Sequence, residues 1–81
     1  MDFKIKLETA NNAALFVAKC GTYDCDIDLY FGRYLIDAKS LMGVLSTGLD
    51  HVCHVRIHAE DENLIKKFKK DISIWMIKEE E

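Results

Sequence analysis

The chain has 81 residues, of which 49% are hydrophobic and 31% charged, and its net charge at pH 7 is −3. This length and composition predict a single globular domain over residues 1–81, with one core and a charged surface. No apolar run is long enough to span a membrane, and the basic residues form no patch with interleaved aromatic residues. We therefore expect a cytoplasmic protein that binds neither membranes nor nucleic acids.

The first quarter of the chain predicts a strand followed by a short helix. Residues 3–7 alternate apolar and charged side chains, as a half-buried strand does. Residues 11–20 are rich in apolar side chains and suit a helix, with Thr9 or Asn11 as its N-cap. Gly21 follows the last turn, where a glycine commonly adopts a left-handed conformation.

The middle of the chain predicts a hairpin. Residues 23–30 alternate again, residues 31–33 form a tight turn around a glycine, and residues 34–36 form a second short strand. The polar face of the first of these strands carries a row of three aspartates, Asp24, Asp26 and Asp28. We expect this row to pair with cations on neighbouring strands, among them Arg56.

The second half predicts two helices around another strand. Ser40 is the natural N-cap of a short helix over residues 41–46, which stops near Gly48. Residues 52–58 alternate as a strand, and Asp61 opens the last and longest helix. The apolar stripe of that helix consists of Leu64, Ile65, Phe68, Ile72, Trp75 and Met76.

The order of these elements is β-α-β-β-α-β-α, and each strand has one apolar and one polar face. Such a pattern predicts an α+β protein with two layers. One layer is a mostly antiparallel sheet, and the other is a set of helices that covers one face of the sheet and leaves the opposite face open to solvent.

The sequence Lys-Ser-Leu-Met-Gly-Val-Leu-Ser-Thr-Gly-Leu over residues 39–49 is similar, almost residue for residue, to the signature of the HPr family. Members of this family are histidine-containing phosphocarrier proteins of the bacterial sugar phosphotransferase system. Residues 23–27 resemble the family's second strand, and residues 59–63 resemble the opening of its last helix. The resemblance covers nearly the whole chain and implies an open-faced sandwich with strand order 1-4-2-3 and three helices on one face.

The resemblance fails at the start of the first helix, where an HPr protein carries its phosphoacceptor histidine. Alignment back from Tyr23 puts Thr9 at that position and Asn11 at the position of the family's arginine. No histidine precedes His51. A phosphohistidine relay needs an imidazole nitrogen as nucleophile, and a threonine phosphate is too stable an ester to pass its phosphoryl group onward easily. We therefore expect no catalytic residue, no cofactor and no enzymatic activity.

Ser40 matches the position that a regulatory kinase phosphorylates in some HPr proteins, although a serine there also serves simply as a helix cap. One homologue in the family lacks the histidine, keeps this serine and acts in catabolite repression. That homologue retains the first-helix arginine, whereas this chain has Asn11. The resemblance thus makes Ser40 a candidate for regulatory phosphorylation, and Asn11 a candidate partner-binding residue.

Leu41, Met42 and Leu45 match positions that form an exposed apolar docking patch in the family. Helical spacing cannot bury all of these side chains together with Val44, so at least one of them should be exposed. They are therefore candidates for contact with a partner, and the alternative is that they merely cover the edge of the core.

The histidines and cysteines do not predict a metal site. His54 and His58 lie too far apart along one strand to share a zinc ion, and His51 lies in the preceding turn. Cys25 and Cys53 fall on the core face of their strands, so we interpret them as small hydrophobic residues and not as nucleophiles.

Three functions remain open. The first is a non-catalytic regulatory or protein-binding module, whose partner would be a phosphotransferase-system protein, a kinase or a transcription regulator. The second is a phosphocarrier or phosphoacceptor that uses an unorthodox residue, and the third is a purely structural or oligomerisation domain. We expect a monomer or a weak homodimer. Ile74 and Ile77, with Met76, would form a small apolar patch on the last helix through which the domain self-associates or binds a partner, and the alternative is that they are stray apolar residues of a frayed helix end.

Overall fold

The computed structural model describes residues 2–46 and 49–77. Its elements are β1 (Asp2–Ile5), α1 (Ala10–Cys20), β2 (Ile27–Phe31), β3 (Tyr34–Asp37), α2 (Leu41–Ser46), β4 (Cys53–Ile57), α3 (Glu62–Asp71) and a 3₁₀ turn (Ser73–Trp75). The strands form one antiparallel sheet of order β1-β4-β2-β3, which confirms the predicted α+β fold class and topology. None of the described helices is long and apolar enough to cross a membrane.

One face of the sheet and the helices together form the core. The fully or almost fully buried side chains come from every layer, and the largest are Phe16, Phe68, Ile5, Ile27, Leu29, Ile57, Ile72, Val44 and Val55. Their positions in the strands follow the alternation seen in the sequence. Because each strand contributes every second side chain to this core, the remaining side chains lie on the open face of the sheet.

The helix starts are those that the capping residues predict. The Thr9 hydroxyl oxygen accepts a hydrogen bond from the Asn12 amide at 3.0 Å, and the Ser40 hydroxyl oxygen accepts one from the Gly43 amide at 3.3 Å. A carboxylate oxygen of Asp61 accepts from the Asn63 amide at 2.9 Å. Each cap satisfies an amide that the first helical turn leaves without a partner, which typically stabilises a helix by about 1 kcal/mol.

The end of α1 differs from the prediction. Gly21 has φ −65°, a right-handed conformation, so the expected left-handed cap is wrong. The helix instead closes with tighter bonds, from the Thr22 amide to the Lys19 carbonyl and from the Tyr23 amide to the Cys20 carbonyl. These bonds satisfy the last carbonyls without a left-handed residue. The Gly48 position, where α2 was expected to stop, lies outside the described residues.

The strand bounds differ from the alternation: β1, β2 and β4 are shorter than predicted, whereas β3 is one residue longer. β2 begins at Ile27 and not at Tyr23, because Tyr23 turns into the core and its hydroxyl donates to a carboxylate oxygen of Asp71 on α3 at 2.5 Å. The row of three aspartates therefore does not form on one strand. Of the three, only Asp28 lies in β2.

The two-residue turn between β2 and β3 confirms the predicted hairpin. Gly32 has φ 56°, which places it in the left-handed region that favours glycine. A glycine at the first of two turn residues suits a type II′ turn, whose twist matches that of the flanking strands. Arg33 is the second turn residue, and it is exposed.

The last helix ends earlier than its apolar stripe predicts. α3 stops at Asp71, and Ile72 and Trp75 are buried after the helix has ended. The Trp75 ring meets Phe16 edge to face, with ring centroids 5.6 Å apart. The prediction that Trp75 packs in the core is thus confirmed, but the prediction that a helix carries it there is wrong.

The residues after α3 cover the outer edge of β1. The Lys6 amide donates to the Trp75 carbonyl at 3.0 Å, and the Ile77 amide donates to the Lys4 carbonyl at 3.0 Å. These backbone bonds pair part of the β1 edge, and a helix continued past Asp71 could not form them. The predicted patch of Ile74 and Ile77 on a helix is therefore wrong, since Ile74 lies in the 3₁₀ turn and Ile77 is half-buried beside β1.

Candidate functional site

The loop before α1 has a strained backbone. Glu8 has φ 72°, and the Thr9 amide donates across it to the Leu7 carbonyl at 2.8 Å, which is the geometry of the rare, strained form of the γ-turn. The Asn12 side-chain amide donates to the same carbonyl at 2.8 Å. The Glu8 amide donates to the Leu49 carbonyl at 2.8 Å and ties the loop to the segment that follows α2. Strain of this kind often marks a functional site.

Sequence reasoning missed this turn because no glycine or asparagine signals it. Glutamate is not a residue that favours a positive φ, so only the backbone geometry reveals the strain. The turn directly precedes Thr9, the N-cap of α1, and its hydrogen bond from the Thr9 amide to the Leu7 carbonyl fixes the path of the chain into the helix.

At the start of α1 the side chains are a hydroxyl and amides. Thr9 and Asn11 are both exposed, and the Thr9 oxygen is the cap acceptor for Asn12. The three histidines of the chain all lie elsewhere: His54 is in β4, His58 directly follows it and His51 precedes it. In the described part of the chain, the helix start therefore presents hydrogen-bonding groups but no imidazole nitrogen.

The packing of α2 on β3 decides which of its residues face outward. A Cβ on Gly43 would lie 2.7 Å from a methyl carbon of Ile36, so only glycine allows this close approach. Val44, the next residue, is fully buried. The opposite side of this short helix consequently faces away from the core.

Leu41, Met42 and Leu45 are all exposed, at 40%, 78% and 37%, and we call them the α2 surface. The sequence predicted that at least one of them would be exposed, and this is confirmed. Ser40 caps the same helix and is also exposed. The structure thus brings a modifiable hydroxyl and three apolar side chains together on one six-residue helix and its cap.

The cysteines have the chemistry of buried thiols. Burial raises the pKa of the Cys20 thiol to about 12, and burial also raises the pKa of the Cys53 thiol. Cys25 is half-buried against the core. Since the thiolate is the reactive form, the raised pKa values leave Cys20 and Cys53 as unreactive packing residues at neutral pH.

The three histidines each have a different partner. The His51 ring stacks on Phe31 and the His54 ring stacks on Tyr30, at centroid distances of 4.6 and 5.4 Å. His58 Nε2 lies 2.7 Å from a carboxylate oxygen of Asp28. Within residues 2–46 and 49–77, no three histidine, cysteine or acidic side chains gather around a common point that would hold a metal ion.

Arg56 lies on the open face, as expected, but its carboxylate partner is not one of the three aspartates. Its Nε donates to one oxygen of Asp2 at 2.8 Å, and its Nη2 donates to the Tyr30 hydroxyl at 3.3 Å. Tyr30 in turn donates to the other oxygen of Asp2 at 2.5 Å. These hydrogen bonds hold the pKa of Asp2 well below its usual range, with the Arg56 bond as the largest cause.

Comparison with solved structures gives close agreement in fold. The chain is similar to an HPr-C-His protein from Thermoanaerobacter tengcongensis, with a TM-score of 0.72, 25% sequence identity and 89% of each chain covered. It is also similar to the phosphocarrier protein HPr from Bacillus anthracis strain Ames. That match has a TM-score of 0.65 and 20% identity, and it covers 88% of this chain and 94% of the other. A search of curated protein sequences finds no match.

A family model gives the assignment. The model described as the PTS HPr component phosphorylation site matches residues 8–70, which run from the strained Glu8 through α1 and α2 to the last turn of α3. That range is well over half of the chain, and the fold and strand order agree with it. The chain therefore belongs to the HPr family of the phosphotransferase system.

Proposed function

We propose that this chain is a non-catalytic member of its family that binds a protein partner through the α2 surface and is regulated by phosphorylation at Ser40. The observation that carries the proposal is a contrast within the molecule. The α2 surface keeps three exposed apolar side chains, whereas the start of α1 has Thr9 and lacks a histidine.

The chemistry at the start of α1 argues against a phosphoryl relay. Transfer through a phosphohistidine forms a labile nitrogen–phosphorus bond, whose cleavage drives the next transfer. The Thr9 hydroxyl would form a stable phosphate ester instead. Cys20 and Cys53 are no substitutes, because burial keeps both thiols protonated.

Ser40 is well placed to alter the α2 surface. Its hydroxyl oxygen accepts the long bond from the Gly43 amide, and among the described residues the hydroxyl donates to no acceptor, which leaves the oxygen available to a phosphoryl donor. A phosphate at that point carries a charge of about −1.5 to −2 next to Leu41 and close to the amides that begin α2. The charge would be tolerated by the helix, but it would change how an apolar partner surface meets the α2 surface.

The relay is tested by incubation with enzyme I of the phosphotransferase system and phosphoenolpyruvate, followed by intact-mass measurement. We expect no gain of phosphate, while an HPr protein that has its histidine is fully labelled in the same tube. Acid treatment identifies any label that does appear, because a phosphohistidine is hydrolysed and a phosphothreonine or phosphoserine survives. Label of either kind would overturn the proposal: an acid-labile one would indicate a phosphohistidine, and an acid-stable one a hydroxyl phosphoacceptor such as Thr9.

Docking is tested by titration of the protein against enzyme I, as a phosphotransferase-system partner, with Met42→Glu as the test variant. Met42 is 78% exposed and Ile74 is 75% exposed, so Ile74→Glu is a matched control on a different surface. We expect Met42→Glu to weaken binding about tenfold or more, as loss of an apolar anchor does, and Ile74→Glu to leave it unchanged. Equal effects of the two variants would count against the α2 surface.

A further inference from the structure

The two edge strands of the sheet, β1 and β3, differ in whether their outer backbone groups are paired. Along β1, the segment that follows α3 supplies backbone partners: the Ile77 amide bonds to Lys4, and the Trp75 carbonyl accepts the amide of Lys6. Along β3, no described strand or segment adds a neighbour beyond it. An unpaired edge is a template for another strand, so natural proteins usually cover it or blunt it with charge.

The unpaired groups of β3 are centred on Leu35. The two-residue turn pairs Phe31 with Tyr34, and the next pair in the hairpin is Tyr30 with Leu35. Paired residues in an antiparallel ladder alternate between bonded and non-bonded, and a two-residue turn makes its closing pair a bonded one. The amide and carbonyl of Leu35 therefore point away from β2. Its side chain is 68% exposed, and that of Tyr34 is 63% exposed.

We propose that β3 pairs with β3 of a second copy of this chain, antiparallel and with Leu35 opposite Leu35. The pair is symmetric, and in this register Tyr34 lies opposite Ile36 of the second copy. Arg33 lies opposite Asp37 of the second copy, so the two ends of the pairing join opposite charges. The pairing uses residues of β3 and its flanking turn, and none of the three side chains of the α2 surface.

Charge selects this register over its neighbours. A shift by two residues in one direction places Arg33 opposite Lys39, which are like charges, and a shift in the other direction leaves Asp37 beyond the end of the partner strand. Arg33 forms no ion pair with another described residue. Asp37 lies directly opposite Asp28 within the sheet, and facing carboxylates destabilise a strand pair unless a cation is near each of them. Asp28 has His58 Nε2 at 2.7 Å, whereas Asp37 lacks a cation partner among the described residues. Arg33 of the second copy would supply that cation.

The proposed contact between the two β3 strands is small, so the association should be weak. β3 has four residues, and the Asp37 carbonyl already accepts the Ser40 amide at 2.9 Å, so the two bonds between the Leu35 residues form its centre. An interface below about 1,000 Å² is typical of weak and transient association. We expect a dimer that forms reversibly and only at high protein concentration.

The test is sedimentation equilibrium from about 10 μM to about 1 mM protein, a range that brackets a weak dissociation constant. The parent should rise from the monomer mass towards the dimer mass. Arg33→Asp and Asp37→Arg should each remain monomeric, because each places like charges opposite one another. An equimolar mixture of these two variants should dimerise again, since both ends of the mixed pair then join opposite charges.

Asp37 also accepts the Lys39 amide through its carboxylate, so the fold of Asp37→Arg must be checked by circular dichroism. If that variant does not fold, Arg33→Asp and Arg33→Lys decide the question: the first should stay monomeric, and the second should dimerise like the parent. A parent that is monomeric throughout the range overturns the proposal. A parent dimer that Arg33→Asp leaves intact also overturns it, because that dimer uses another surface.

Discussion

The two faces of the sheet differ in the interactions that stabilise them. Val55 and Arg56 are neighbours in β4, yet Val55 is fully buried among the helices and Arg56 is exposed to solvent. On the core face, stability comes from apolar area removed from water, at about 25 cal/mol per Å². On the open face it comes from hydrogen-bonded charges in water, which contribute little each. The fold therefore depends on one face, and the other is free to serve contacts with other molecules.

A third group of residues, at the rim of the core, combines a buried side chain with exposed charges. Tyr23 is buried, but its hydroxyl reaches the rim of the core and donates to Asp71, which also accepts from Lys67 at 3.0 Å. The Lys67 ammonium lies 4.9 Å from the centre of the Tyr23 ring. The two hydrogen bonds, with that of Tyr23 the larger cause, lower the pKa of Asp71. This cluster ties α3 to the segment between α1 and β2.

The largest effect should come from the core face. Phe68 is fully buried and contacts Phe3 and Tyr23 through its ring, so Phe68→Ala should lower the free energy of unfolding by about 3–5 kcal/mol. Tyr34→Ala removes an exposed aromatic ring and serves as the control, with a much smaller loss. Urea denaturation measures both. A Phe68→Ala variant as stable as the parent would show that the core is not where we place it.

An intermediate effect should come from the rim. Asp71→Asn removes the charge that the Tyr23 hydroxyl and Lys67 share. It should cost about 1.5 kcal/mol, the low end for loss of a hydrogen bond to a charged group, because the Lys67 side chain is exposed. Tyr23→Phe removes the same hydroxyl bond from the other side. Because the two changes break one interaction, the double variant should lose less than the sum of the single variants in the same denaturation assay. Strict additivity would argue against the cluster.

The smallest effect should come from the open face. Asp2→Asn breaks the contacts with Arg56 and Tyr30, but these groups are exposed, and we expect a loss below about 1 kcal/mol at neutral pH and moderate salt. A loss as large as that of Phe68→Ala would mean that this face is covered by another molecule. Thermal melts at low and high salt make the comparison, because screening should reduce the effect further.

Acid should lower the stability of the fold through two carboxylates, those of Asp2 and Asp71. The pKa values of Asp2 and Asp71 are lowered in the folded state, so the unfolded chain takes up these protons first, from about pH 4 downward. The stability that the two carboxylates contribute is present above that pH and is lost as the pH falls towards their folded-state pKa values. Melting temperatures between pH 7 and pH 2 should therefore fall less steeply in Asp2→Asn and Asp71→Asn than in the parent.

Much of the fold was predictable because it depends on local patterns. The alternation in β1 and β4 placed the correct side chains on the core face, and Thr9, Ser40 and Asp61 marked the helix starts. The candidate site was predictable only in part. Helical spacing predicted that at least one residue of the α2 surface would be exposed, and the structure exposes all three, but the strained turn at Glu8 had no signal in the sequence.

The sequence by itself determined the two-sided strands, the hairpin at Gly32 and the caps of the helices, because each arises from residues within a few positions of one another. Only the tertiary structure decided where α3 ends and which carboxylate meets Arg56. The apolar stripe of α3 continues to Met76 in the sequence, but the helix ends at Asp71. The residues after it form backbone hydrogen bonds with Lys4 and Lys6 at the β1 edge instead. Arg56 binds Asp2, 54 residues earlier in the chain, because the β1–β4 register places the two directly opposite each other. A pairing register is a property of the whole sheet, and no local pattern contains it.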